Sequence, residues 1–295
     1  MPGKIIAAAA HALLLLLAIA SGKAAAQIGG ATERTDEWRA ETFGVGPSIE
    51  YASGKFGGAE STEMWWVALN GRFERGPWVA RLNLPYVFVS GPGNVVPAGG
   101  AGGTPVCRQA GVNSGAARGG IRCGNDGSTP STSVRVSSSG LGDLTAGLSY
   151  RLVDRPSGAF DLTGKVKLPM ADESRALGTG EADYSLQGDL TLLLGRGEVF
   201  LTAGYRWYGD PPGIEVKDVF FGALGASYRV TQQTTAGIAF DHRQKTYDGG
   251  AALNEISLFA SYRVTSSARV RGYVFKGLTD GGAGWGGGAL AMFTF

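Results

Sequence analysis

Most of the chain consists of segments in which apolar and polar side chains alternate residue by residue. In the segment 158–170, for example, Phe160 and Leu162 fall on one face, and Asp161 and Lys165 fall on the other. A helix would mix these two sets around its circumference, whereas a strand separates them onto its two faces. The pattern therefore predicts an all-β protein whose strands have one apolar and one polar face.

Twelve such segments follow one another, and most are longer than the five or six residues usual for strands of soluble proteins. A tilted strand needs about 9–11 residues to cross a bilayer, and single-chain bacterial barrels have an even number of strands. We therefore predict a transmembrane antiparallel up-and-down β-barrel of about 12 strands over residues 41–295. The predicted strands lie near residues 41–52, 63–74, 77–90, 140–153, 158–170, 181–194, 197–209, 216–229, 233–245, 253–263, 267–278 and 285–295.

The connections between these strands are alternately short and long. Short periplasmic turns and longer outer loops are typical of outer-membrane barrels, so both ends of the barrel chain should lie on the periplasmic side. The longest connection, residues 91–139, is then an extracellular loop. The tight connections are residues 75–76, 154–157, 195–196, 230–232 and 264–266.

An export signal precedes the strands. Lys4 is followed by an apolar run, residues 7–20, and then by three alanines. The run is shorter than the about 20 residues of a membrane-spanning helix, and the three parts together are typical of a secretory signal. We predict that residues 1–26 are a cleaved signal peptide and that residues 27–40 form an N-terminal periplasmic segment. The alternative interpretation is a retained N-terminal anchor.

Aromatic residues mark the ends of several strands. Ser-Tyr-Arg recurs at 149–151, 227–229 and 261–263, and each Tyr shares the apolar face of its strand. These Tyr side chains should lie at the height of the lipid head groups, in an aromatic girdle, and each following Arg should point inward. The last strand ends at Phe295, with Phe293 on the same face. This ending resembles the signal read by the outer-membrane assembly machinery, which we expect to be a partner.

Net charge and cysteine content limit the partners and ligands that the sequence allows. Removal of residues 1–26 lowers Lys+Arg from 27 to 25, which equals the 25 Asp+Glu. A neutral chain argues against nucleic acid as a partner. Cys107 and Cys123 enter an oxidising compartment after export, so we predict a disulfide between them. Binding of a metal by these two residues is the alternative, but no His or further Cys lies near them, and we expect no metal and no cofactor.

The polar face of the predicted strands should line the lumen. Of seventeen charged positions with this parity, eleven are basic. The charges either pair into a rigid network or line water, and an excess of Arg predicts a preference for anions. Twelve strands should leave a narrow passage. The lumen-lining candidates are Arg72, Arg81, Arg151, Lys165, Lys167, Arg206, Arg229, Asp241, Arg243, Glu255, Arg263, Arg269 and Arg271.

The segment 91–139 leaves two interpretations open. Loops of this length are usually functional or disordered. The segment either covers or enters the lumen as a gate, or it is a mobile surface loop cross-linked by the disulfide. Outer loops can also bind a partner, which makes a structural or adhesive barrel the alternative to a channel.

No residue pattern indicates catalysis. His242 has outward parity near the outer rim, and no Ser lies within several residues of it to act as a nucleophile. We therefore expect it to lie beside lipid phosphates. Asp172, Glu173 and Asp241 are acids near the same rim, where calcium binding or proteolysis is a weaker interpretation than solvated charges. The sequence thus predicts that the protein is not an enzyme.

Three short stretches carry a family resemblance. They are Gly140-Leu141-Gly142-Asp143-Leu144, then Lys167-Leu168-Pro169, and then Leu177-Gly178-Thr179-Gly180 with Asp183-Tyr184. In this order they resemble the outer-membrane transporter-like family named for the meta-pathway of phenol degradation. The chain has Met170-Ala171 where members of that family tend to have Thr-Gly. The resemblance implies an outer-membrane barrel that passes small, often aromatic compounds.

These observations together predict a channel or transporter-like, porin-like barrel in the outer membrane of a Gram-negative-type envelope. Its cargo should be a small organic solute, aromatic or anionic. We expect a monomer, because the chain shows no interface pattern and is smaller than trimeric porins.

Overall fold

The computed structural model describes residues 41–56, 60–92, 95, 135–211, 216–248 and 250–295. In these ranges the chain forms strands and one turn of 3-10 helix, Glu173–Arg175. No helix of this described part is long and apolar enough to cross a membrane. The strands are β1 (Thr42–Gly54), β2 (Thr62–Arg75), β3 (Trp78–Gly91), β4 (Val136–Leu141), β5 (Leu144–Arg155), β6 (Gly158–Leu168), β7 (Asp183–Leu194), β8 (Gly197–Trp207), β9 (Val219–Arg229), β10 (Thr234–Arg243), β11 (Leu253–Arg263), β12 (Ala268–Gly277) and β13 (Trp285–Thr294).

The strands form one closed antiparallel sheet. Consecutive strands pair from β5 to β13, β13 pairs with β1, and the pairings β1–β2, β2–β3 and β3–β5 complete the ring. Backbone hydrogen bonds extend the closure to the end of the chain, because Phe295 N donates to Phe43 O at 2.8 Å. The predicted up-and-down β-barrel is therefore confirmed.

The strand segments β4 and β5 are two parts of one stave, the name used here for one complete crossing of the barrel wall. Both pair with β3, and the ladder is interrupted at Gly142 and Asp143. Gly142 N donates to Pro85 O at 2.8 Å across this break. The barrel therefore has twelve staves, as predicted. The fourth stave begins at Val136, inside the range expected for the long loop.

The same stave contains a bulge that its alternation did not indicate. Arg151 pairs with Asp161 and Val153 pairs with Phe160, so Leu152 is an extra residue in β5. The extra residue leaves Leu152 and Val153 both exposed. Bulges of this kind raise the local twist of a barrel rim, and they break the one-by-one pattern on which a sequence prediction depends.

The outer face of the barrel is an apolar belt with aromatic edges. Leu, Val and Phe side chains at alternate positions of nearly every stave are exposed. Near the tight turns, Trp78 packs against Tyr150 with ring centroids 4.6 Å apart. At the opposite edge, Tyr51 packs against Trp65 at 4.8 Å and Trp285 at 5.1 Å. An exposed apolar band between two aromatic girdles is the surface that a bilayer covers.

Several glycines on the inner face make room for aromatic rings of the neighbouring staves. A Cβ atom at Gly237 would lie 2.3 Å from the ring of Phe259, and one at Gly225 would lie 2.2 Å from the ring of Phe200. Neither distance is possible for real atoms, so these two rings occupy the space that a side chain at either glycine would need. The glycines therefore decide where the apolar interior of the barrel can form.

We predict that Gly237→Ala destabilises the barrel, because the new methyl group overlaps the Phe259 ring. Overpacking of this kind costs about 1–3 kcal/mol. Gly164→Ala is the matched control, since a Cβ there meets open space. Urea unfolding of the protein refolded into lipid vesicles measures both variants. Equal free energies of unfolding for the two would contradict the close packing of Phe259 on the wall.

Candidate functional site

The lumen is the concave surface of this fold, and its two ends differ. We call the end with the tight turns and with both termini of the barrel, Thr42 and Thr294, the inner end. The other end, with the longer connections, is the outer end. The thirteen charged lumen candidates all have inward parity, as judged from the burial patterns of their strands. They fall into separate groups along the barrel.

A buried apolar group, here called the aromatic cluster, fills one side of the lumen. Each member is at most 6% exposed, so water does not reach it. Three members, Phe56, Val95 and Ala283, come from connections at the outer end rather than from the staves. The members on the staves are Ala52, Met64, Trp66, Val87, Phe200, Ala239, Phe259, Tyr273 and Phe275.

The aromatic cluster also holds a buried carboxylate. Glu50 is 1% exposed, and it accepts a hydrogen bond from the Tyr273 hydroxyl. A buried carboxylate is costly unless hydrogen bonds compensate for lost water. The bond also joins β1 to β12 across β13, whose Gly288 lies between these residues in the register. Glu50 and Tyr273 thus tie the cluster together at the seam where the barrel closes.

This cluster was not predicted from the sequence. Alternation assigns the apolar face of each stave to lipid, and only the charged residues of the other face were lumen candidates. Phe200, Phe259 and Phe275 lie on that second, predominantly polar face. The detectable signal was an aromatic residue at a polar position beside a cross-strand glycine, such as Phe259 beside Gly237.

Four arginines, here called the arginine group, lie near the inner end. Arg72, Arg81 and Arg271 are each the fourth residue from the inner end of their strands, and Arg269 is the second. Arg72 and Arg81 are directly opposite in the β2–β3 register. Arg72 donates to Glu74, and its side chain is 28% exposed. This group therefore faces water that enters from the inner end.

A polar network covers the wall opposite the aromatic cluster. Asp189 accepts from Thr163 at 3.0 Å, from Thr202 at 2.7 Å and from Gln187 at 2.7 Å. Ser149 connects Thr163, at 2.9 Å, to Arg81, whose guanidinium donates at 2.7 Å. The network spans five neighbouring strands and fixes one member of the arginine group.

Three more candidates lie toward the inner end, and a fourth, Lys165, lies farther from that end on β6. Arg151 forms a two-point ion pair with Asp161, at 2.7 and 3.1 Å, so its charge is compensated. Arg229 and Arg263 lie at the last residues of β9 and β11. Lys165 is two residues from Lys167 on the same face of β6.

The remaining candidates lie toward the outer end. Arg206 lies over the rings of Tyr208 and Phe221, at 5.7 Å from each centroid. Arg243 donates to the carbonyl of Gly281 at 3.3 Å. Asp241 and Glu255 pair in the β10–β11 register. Each of the four lies within three residues of the outer end of its strand.

Lys167 lies in a buried ion cluster at the outer rim instead of lining open lumen. Its ammonium is 3.0 Å from Asp183, 3.5 Å from Asp143 and 2.8 Å from Thr179 Oγ1. Asp143 also accepts from the backbone N–H groups of Met170 and Ala171 at 3.1 and 3.0 Å. The three stretches that carry the family resemblance therefore meet at one point, where they fasten the connection 169–182 to the wall.

His242 is on the outer face near the rim, as its parity predicted. It is exposed, and its Nδ1 atom lies 2.8 Å from Asn254 Oδ1. Its partner is an amide rather than a serine hydroxyl, which gives no nucleophile for catalysis. Within the described ranges, no group of three His, Cys, Asp or Glu residues could hold a metal ion. Cys107 and Cys123 lie outside the described residues.

These features define a membrane-spanning β-barrel whose lumen carries an arginine-lined inner mouth below a buried aromatic cluster. The sequence from residue 72 to residue 295 matches the family described as "MetA-pathway of phenol degradation". The chain therefore belongs to this family, as its motifs suggested. None of the curated proteins matches the chain.

Solved barrel structures resemble this chain at low sequence identity. The NanC porin is 9% identical, with a TM-score of 0.47 over 85% of this chain and 98% of that chain. The toluene transporter TbuX of Ralstonia pickettii is 9% identical, with a TM-score of 0.42 over 87% and 89%. The CymD monoaromatic hydrocarbon channel is 12% identical, with a TM-score of 0.43 over 93% and 97%.

We predict that Lys167→Met strongly destabilises the barrel, because it leaves Asp143 and Asp183 buried without their shared cation. Removing one member of a buried ion cluster costs about 3–5 kcal/mol. The measurement is urea unfolding in lipid vesicles.

Lys245→Met is the matched control. Lys245 lies 3.6 Å from Asp248 in an exposed pair at the same rim. The hydrogen bond from Lys217 already lowers the pKa of Asp248, so loss of Lys245 should leave stability nearly unchanged. An equal loss of stability in the two variants would show that the cluster of Lys167 is not what fastens the rim.

Proposed function

We propose that the protein is an outer-membrane channel for small organic solutes and that it prefers anions. The observation that carries this proposal is the arginine group at the inner mouth. Among the described residues, the arginines toward this end of the lumen outnumber the carboxylates whose charges act on them. The arginines are Arg72, Arg81, Arg151, Arg229, Arg263, Arg269 and Arg271, and the carboxylates are Glu74, Asp154, Asp161, Asp189 and Glu198. An excess of guanidinium groups on the wall of a pore attracts anions and repels cations, and the barrel walls concentrate this field.

The membrane in this proposal is the outer membrane of a Gram-negative-type envelope. The apolar belt, the two girdles and the family membership support it. The proposal includes export by a cleaved signal peptide over residues 1–26 and a disulfide between Cys107 and Cys123, both outside the described residues. It also includes assembly through Phe295, whose backbone completes the β1–β13 seam.

The aromatic cluster is the constriction of this channel. Apolar constrictions stop ions, because water and hydrated ions do not enter a passage lined only by apolar groups. Phe56 and Val95 lie beyond the ends of β1 and β3, so they can leave the cluster without breaking a ladder. We propose that solutes pass when these side chains move out of the cluster. We also propose that the barrel transports its solute and does not catalyse a reaction on it.

Planar-bilayer recording with a salt gradient tests the anion preference. We expect discrete openings whose reversal potential shows preference for chloride over potassium. Arg72→Gln combined with Arg271→Gln should lower the permeability ratio by at least about threefold, because two charges leave the mouth. Arg196→Gln is the control, since Arg196 lies on an exposed turn against Tyr228 and outside the lumen. A silent membrane with folded protein would contradict the channel.

Phe56→Ala should increase conductance by at least about twofold, because it removes the largest side chain that a connection places in the constriction. Phe88→Ala is the matched control, since Phe88 is an exposed ring on the outer face. Single-channel current under symmetric salt measures both variants. An unchanged current in Phe56→Ala would mean that Phe56 does not restrict the passage.

A further inference from the structure

Four cations of the lumen wall lie on one row of register partners that crosses six neighbouring strands. From β2 through β3, β5, β6 and β7 to β8, the successive partners are Arg72, Arg81, Gly147, Lys165, Ser185 and Arg206. We call this line of residues the basic row. Its cations are separated only by a glycine and a serine, so no bulky uncharged side chain of the row interrupts the positive charge.

The basic row rises from the inner end toward the outer end of the barrel. Arg72 is the fourth residue from the inner end of β2, and Lys165 is the eighth from the inner end of β6. Arg206 is the second residue from the outer end of β8. Strands of a barrel are tilted and staggered, so a line of register partners climbs around the wall. The row therefore places cations along the length of the lumen.

The outer part of the row holds two cations on either side of a small residue. Lys165 and Arg206 are both register partners of Ser185, so their Cα atoms are about 10 Å apart, twice the spacing of neighbouring strands. Both cationic side chains are partly exposed, and the short Ser185 side chain between them is 8% exposed. Arg206 also lies over the rings of Tyr208 and Phe221, which orient its guanidinium group. The two cationic side chains are long enough to reach one small anion beside Ser185.

Within the described ranges, no ion pair includes Lys165 or Arg206. The charges that act on Lys165 are those of Asp189, which attracts it, and of Arg206 and Arg81, which repel it. Water screens charge weakly at partly buried positions, so this repulsion between cations persists. An anion between Lys165 and Arg206 would replace the repulsion with two attractions.

The carboxylates of the same wall are held by other groups. Those on β6, β7 and β8 are Asp161 with Arg151, Asp183 with Lys167, Asp189 with three neutral donors, and Glu198 near Arg229 and Arg271. Those farther out are Asp143, which shares Lys167, Asp218, which accepts from a backbone N–H group, and Glu255, which acts on Arg243. A carboxylate that enters the lumen therefore adds a contact that these carboxylates do not make.

We propose that Lys165, Ser185 and Arg206 form a binding site for the carboxylate group of a small organic anion. The fork of the Arg206 guanidinium donates to both carboxylate oxygens, and the Lys165 ammonium and the Ser185 hydroxyl donate from the other side. The site rests on the proposed function, because it is a place in the channel where an anionic solute stops. An anion that leaves toward the inner end next meets Arg81, two strands from Lys165 across Gly147.

Acetate tests this site, with acetamide as the uncharged probe of the same size. Isothermal titration calorimetry of the refolded protein at low ionic strength measures both dissociation constants, since salt screens the attraction. We expect saturable acetate binding that is at least about tenfold tighter than that of acetamide. Lys165→Gln and Arg206→Gln should each weaken acetate binding at least about tenfold. Lys276→Gln is the matched control, because Lys276 is exposed on the outer face of β12 beside Trp285.

Two variants that keep the charge separate a built site from a diffuse positive field. Ser185→Ala removes one donor, so it should weaken acetate binding by at least about threefold. Arg206→Lys loses the planar fork, so its affinity should lie between those of the native protein and Arg206→Gln. Heat-modifiable mobility on gels confirms folding of each variant before titration. Equal acetate affinity in the native protein, Lys165→Gln and Arg206→Gln would overturn the site, and so would unchanged affinity in both Ser185→Ala and Arg206→Lys.

The outcome of the bilayer recording is independent of this one. Anion-selective openings without Lys165-dependent acetate binding would overturn the site and leave the channel intact. Saturable, Lys165-dependent binding in a barrel that never conducts would support the site and overturn the channel.

Discussion

The backbone hydrogen bonds between β1 and β13 are the constraint on which the rest of the structure depends. In a bilayer every backbone N–H and C=O group needs a partner within the protein, and only a closed sheet supplies it. The seam runs from Ser53 and Trp285 to Phe43 and Phe295, so the last residue of the chain takes part in it. Closure fixes which face of each stave meets lipid, and therefore which side chains share the lumen.

The lumen combines features that oppose free flow with features that favour anions. The aromatic cluster fills the space on the β8–β13 and β1–β3 side, and the Asp189 network rigidifies the opposite wall. The arginine group lies where both meet the inner mouth.

The strands, and the side of each strand that faces inward, could be predicted from sequence, because alternation reports directly on the two faces of a stave. Lys167 shows the limit: its parity is inward, but its partners Asp143 and Asp183 come from distant segments and place it in a buried ion cluster. The bulge at Leu152 and the break at Gly142 are likewise set by pairing with neighbouring strands. The aromatic cluster was missed because its members occupy the face expected to be polar. In addition, the glycines that leave room for Phe200 and Phe259 lie on neighbouring strands, so the sequence of one strand does not show the pairing.

Thiol accessibility tests the central claim that the aromatic cluster excludes water from its side of the lumen. Asn83 and Ala239 are each the sixth residue from the inner end of their strands, but Asn83 is partly exposed and Ala239 is 1% exposed. In a chain with Cys107→Ser and Cys123→Ser, a charged thiosulfonate reagent and mass spectrometry would compare Asn83→Cys with Ala239→Cys. Access controls the reaction, so Asn83→Cys should react on the order of tenfold faster. Equal rates at the two positions would contradict a buried aromatic cluster and indicate a lumen that is open on all sides.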